Sequence, residues 1–119
     1  MTSDDAVSDL IGLGPGLTPS GDDFLIGTLA LLAAVGQTNT HAALGRAVVA
    51  GAGRTSPLSA SLLREAAAGH VGENLHAMVA AVIAGDADGA IDAATRIGHT
   101  SGWDALAGAV VTVRNLYRG

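Results

Sequence analysis

The sequence predicts an all-α fold: a single compact domain of roughly five to seven helices, with glycine-rich loops at helix N-termini. Three observations predict it. Apolar residues recur at helical spacing, most clearly at Val71, Leu75, Met78, Val79, Val82 and Ile83. No stretch alternates convincingly at the period of a strand. The apolar segments are separated by short loops rich in Gly, Pro, Ser and Thr, the residues that stop and start helices.

Taken in order, residues 1–11 form an acidic lead-in, helical from about Asp4. A glycine–proline loop follows, GLGPGLTPSGDD from Gly12 to Asp23. Its glycines permit positive φ and close backbone approach, and Pro15 and Pro19 stiffen it. A helix is predicted over about Gly21–Val35, with Ser20 as N-cap and Asp23 at capping-box spacing. That helix is apolar nearly all round, which places it centrally. An Ala-rich helix is predicted over about His41–Ala50. Ser56 then caps a helix that starts with Pro57 and runs to about Ala68. Further helices follow over about Val71–Ala84 and Ala87–Ile97. The loop Gly98–Gly102, GHTSG, opens the last helix, with Ser101 and Asp104 repeating the capping-box spacing.

Composition narrows the function. The 119 residues suffice for one domain, read as spanning 1–119. Hydrophobic residues make up 49% and aromatics 3%, so the core is built from Ala, Leu, Val and Ile. Net charge is −5, lysine is absent, and the six arginines form no basic run. A nucleic-acid partner is therefore not expected, nor a Schiff-base or P-loop lysine. Zero cysteine excludes a disulfide framework and a thiol nucleophile. The acidic N-terminus lacks a secretory pattern, and the longest apolar run, Phe24–Val35, is too short for a bilayer. The expectation is a cytoplasmic protein without membrane contact. A nearly all-apolar helix in so small a chain also predicts a homo-oligomer.

Three predicted helix starts carry a hydroxyl residue beside glycine or proline: Ser20, Ser56 and Ser101. Helix N-termini present free N–H groups and a positive dipole end, so converging starts would hold an anion. Thr18, Thr55 and Thr100 would add hydroxyls. Each serine also has the simpler role of capping its own helix. Asp22, Asp23 and Asp104 could move protons, bind an amide N–H or hold Mg²⁺, or simply favour the helix dipole. No cofactor is otherwise implied, and no metal site is assigned. His99 could shuttle protons near neutral pH. His41, His70 and His76 show no metal-ligand spacing. A Ser101–His99–Asp104 triad is disfavoured, because triad members rarely come from one loop. The dinucleotide fingerprint fails, with Pro19 where a glycine is needed and no strand before it.

GLGPGLTPSGDDFLIG, then TSPLSASLLREAAAG, then GHTSGWDALAG resemble, in this order, the C-terminal helical part of a bacterial family long labelled as of unknown function. That family includes the AllH-type subunit of an oxamate carbamoyltransferase. The resemblance covers most of residues 11–110. It implies the handling of a carbamoyl group, a small acid amide or phosphate, so a small anionic substrate. By motif position it implies one site lined by Gly14, Gly16, Thr18, Ser20, Gly21, Asp22, Asp23, Thr55, Ser56, Ser59, His99, Ser101, Gly102 and Asp104. Members of the family are usually about twice this length, so the chain is the motif-bearing half and a partner subunit could supply the remainder. The expected function is thus an enzyme or enzyme subunit of carbamoyltransferase type. The alternatives are a non-catalytic metabolite-binding or partner-docking subunit, or a tailoring enzyme of a specialised bacterial pathway.

Overall fold

The computed structural model describes residues 3–117, without the side chains of Ser3, Asp4, Asp5 and His99. Among the described residues seven α-helices follow one another: α1 (Ser3–Leu10), α2 (Ser20–Ala34), α3 (Thr38–Gly51), α4 (Pro57–Ala67), α5 (Glu73–Ala84), α6 (Ala87–Ile97) and α7 (His99–Leu116). A short 3₁₀ turn, Ala52–Arg54, joins α3 to α4. Among the described residues there is no strand.

α2 is the central element, as its all-round apolarity predicts. Leu25, Ile26, Leu29, Ala30, Leu31 and Leu32 are all buried, and α3, α4, α5 and α7 pack around them. Leu63 of α4 and Met78 and Val79 of α5 complete the middle of the core.

Its most extensive contact is with α7, and two glycines set how close these helices come. A Cβ on Gly27 would collide with the backbone carbonyl of Ala105, and one on Gly108 with the carbonyl of Phe24. The colliding atoms are backbone, so no side-chain rotation relieves them. Gly27→Ala should therefore push the two helices apart and cost about 1–3 kcal/mol, the usual range for overpacking. Chemical denaturation of the variant checks this.

The helix ends show where local rules were decisive and where they were overridden. Ser56 caps α4 as predicted: its hydroxyl accepts from the Ser59 N–H at 3.1 Å, with Pro57 at the first helical position. Ser56→Ala should cost about 1 kcal/mol in a thermal melt. Ser20, by contrast, is not the cap of α2. Pro19 holds that position with φ −56° and ψ 150°, and Ser20 is an exposed first helical residue. The proline ring already fixes the extended geometry a cap needs. Ser101 is not a cap either. α7 begins earlier, from Gly98 at φ 117°, which leaves Ser101 inside the first turn. α3 starts at Thr38, ahead of the predicted His41, and α5 starts at Glu73, after the predicted Val71. Among the described residues no helix is long and apolar enough to cross a membrane.

Candidate functional site

Asp22 and Asp23 are adjacent at the start of α2 and both are buried, yet they face different places. Consecutive helix residues point about 100° apart. That rotation sends Asp22 toward α4 and Asp23 toward α7.

Asp22 is fully buried and saturated with donors. One carboxylate oxygen, Oδ1, accepts from the Gly12 N–H at 2.8 Å. The other, Oδ2, accepts from the Thr55 and Ser59 hydroxyls, each at 2.5 Å. This knot ties the glycine–proline loop, the turn after α3 and the first turn of α4 to α2. Gly12 sits at φ 80° with its would-be Cβ 3.1 Å from the Arg54 carbonyl, so glycine is required for its N–H to reach the carboxylate. Ser56 adds a second tie by donating to the Leu17 carbonyl.

Asp23 is 6% exposed, and its Oδ2 has no hydrogen-bond partner. Asp104 Oδ2, from the first turns of α7, is likewise buried without a partner. Thr18 and Ser101 share a hydrogen bond of 2.9 Å beside them, joining the loop to α7. Burial pushes the Asp23 carboxyl up to about 6. The Ser101 hydroxyl pulls it down, the negative charges of Asp104 and Asp22 push it further up, and Thr18 again pulls it down.

Thr18, Asp23 and Ser101 line a cavity of about 670 Å³. Apolar walls come from Ile26, Leu62, Val71, Leu75, Ile97 and Ala105. Its polar edge carries Glu65, His70, Glu73, Asn74 and Arg96. Arg96 also pairs with Asp92 at 2.8 Å, and His70 Nδ1 lies 3.4 Å from Glu65. The start of α5 faces the cavity as well: Gly72, Glu73, Asn74 and Leu75 line it, and Gly72 offers no side-chain cap to the first amides.

The motif segments therefore do meet, but around two centres. Thr18 and Ser101 reach the cavity. Thr55, Ser56 and Ser59 do not; their hydroxyls are spent on Asp22, on Leu17 and on the α4 cap. Gly21 gives its N–H to the Leu13 carbonyl at 3.0 Å, and a Cβ there would strike the Leu10 carbonyl. Gly102 packs against Ala94 of α6 in the same close manner. Gly14 (φ 113°), Gly16 (φ 91°) and Ser20 are exposed and lie outside the cavity lining. The His99 side chain lies outside the described residues.

The start of α5 and Arg96 were not foreseen. For α5 the signal was present, since glycine followed by an acid in HVGENL is a helix start of the same kind as the others. Nothing in the sequence set Arg96 apart. Among the described residues no three His, Asp or Glu side chains gather as metal ligands.

The structure thus defines an all-α domain whose cavity is lined by Asp23, with one carboxylate oxygen that has no hydrogen-bond partner, by Arg96, and by a helix start without a side-chain cap. A family model described as oxamate carbamoyltransferase subunit AllH matches residues 10–113, and the chain belongs to that family. No solved structure matches it.

Proposed function

We propose that this domain is the substrate-holding subunit of a carbamoyl-transferring enzyme, and that the cavity beside Asp23 binds a small acid amide or carbamoyl compound. The observation that carries the reading is the free Oδ2 of Asp23. A buried carboxylate oxygen without a donor is costly, and an N–H from a ligand would satisfy it. Amide and carbamoyl groups supply such N–H donors. The Thr18–Ser101 pair is placed to bond the neighbouring carbonyl oxygen. An anionic end would turn from the carboxylates toward Arg96 and the amides at the start of α5. The family description names oxamate, which has both an amide and a carboxylate.

In the transfer direction, the oxamate nitrogen attacks the carbonyl carbon of carbamoyl phosphate. The new C–N bond forms as the C–O bond to phosphate breaks, and phosphate leaves with that electron pair. Asp23 takes the proton from nitrogen, and its carboxyl at about 6 lies close to a working pH near neutrality. The family is named for one subunit of an enzyme, so a partner subunit completes the site and holds the phosphate side.

The test is phosphate release from carbamoyl phosphate plus oxamate, with the chain and its partner subunit combined. Ser101→Ala should lower turnover about 10- to 100-fold, the usual cost of losing a hydrogen bond to a charged group. Full turnover in that variant, or in mixtures lacking this chain, would defeat the reading.

A further inference from the structure

The geometry points to a substrate with an apolar body: an N-carbamoyl amino acid whose side chain is aliphatic or aromatic. This rests on the reading above and extends it to the part of the ligand that does not react. The cavity, at about 670 Å³, is of the size that takes a drug-sized ligand rather than the smallest acid amide. Oxamate would occupy the corner at Asp23 and leave the rest of the wall bare.

That bare wall is hydrocarbon. Ile26 from α2, Leu62 from α4, Val71 from the connection, Leu75 from α5 and Ile97 from α6 converge on it. Water against such a surface lacks partners, so a hydrocarbon group that displaces it gains affinity. The polar groups of the lining differ from this wall in chemistry. Asp23, Thr18 and Ser101 suit the N–H and C=O of a carbamoyl group. Arg96 and the first amides of α5 suit a carboxylate. An N-carbamoyl amino acid carries both polar groups and projects its side chain from the carbon between them.

Titration calorimetry of the chain combined with its partner subunit tests this with N-carbamoyl-leucine, N-carbamoylglycine and oxamate. Burying the leucine side chain should make its compound about 10- to 100-fold tighter than the glycine one. Leu62 is 42% exposed at the cavity mouth, so Leu62→Asp should fold. It should shrink the leucine-to-glycine affinity ratio about 10-fold. Glycine and leucine compounds binding alike would overturn the inference and leave the site reading standing, provided oxamate binds. Failure of all three ligands to bind would remove the site reading, and the inference with it.

Discussion

Replacing Asp22 by alanine should cost about 3–5 kcal/mol and free the Gly12 end of the glycine–proline loop. The carboxylate accepts three hydrogen bonds in a fully buried setting, from Gly12, Thr55 and Ser59. Its removal strands the Gly12 N–H and two hydroxyls, each at roughly 1–3 kcal/mol when no water reaches them. The sum sits at the upper end of single-substitution effects, where loss of a buried polar network belongs. Asp22→Asn should recover only part of it, since an amide oxygen replaces one carboxylate oxygen and the NH₂ meets donors. Chemical denaturation of the three proteins checks the order. A loss for Asp22→Ala under 1 kcal/mol would mean the knot does not hold the loop. Any fall in turnover in this variant then reports the fold and not a reacting group, which separates Asp22 from its neighbour.

Asp23→Asn should do the reverse: stabilise the protein near pH 8 and remove its activity. The folded carboxyl, at about 6, holds its proton more tightly than the ordinary value of 3.8. The stability this contributes is fully present below pH 3.8 and is lost as pH rises through about 6. Above pH 7 the native state carries an ionised carboxylate held among Asp104, Asp22 and apolar surroundings. Two decades of proton affinity correspond to about 2–3 kcal/mol. The asparagine variant is free of that penalty. Its gain should be largest at pH 8 and should vanish near pH 4, which thermal melts across that range will read. Turnover should fall about 100-fold in the same variant, because an amide does not accept the proton. A residue whose removal raises stability while lowering activity is one held in place for a ligand. An equal or lower melting temperature at pH 8 would show that Asp23 is already accommodated in the free protein.

Much of the scaffold was legible in the residues. α6 occupies Ala87–Ile97 as predicted, because GDADG and Gly98 punctuate both of its ends. Ser56 with Pro57 gave the start of α4, since cap and first-turn proline act locally. The start of α7 was misplaced because the cap is Gly98 at φ 117°, and a capping box written three residues later looked equally sound. Ser101 then had its hydroxyl free for Thr18, a contact across 83 positions that no local pattern encodes.

The site was legible in its ingredients and not in their division. Asp22 and Asp23 both read as first-turn acids with a candidate role in the site, and only the packing of α4 and α7 on different faces of α2 gives one a structural knot and the other a cavity. Asp104 read both as a candidate reacting group and as a dipole-favouring acid, and its Oδ2 is buried without a partner near Asp23. Val71 read as part of an apolar helix face, because an apolar side chain at helical spacing gives the same signal whether it faces protein or a ligand. The glycines pull in two directions for a related reason. Gly12 serves the loop by its φ, while Gly27 and Gly108 serve helix contact by lacking a Cβ, and the sequence letter is the same.

The central claim is that Asp23 presents its free carboxylate oxygen to the N–H of an amide or carbamoyl ligand. Calorimetric titration of oxamate at pH 7.5 (roughly, a pH at which the carboxyl is ionised) into the native protein and Asp23→Asn tests it most directly. The prediction is measurable binding by the native chain and a loss of about 10- to 100-fold in the variant, the value of a charge-assisted hydrogen bond. Equal affinity in the two proteins would contradict it.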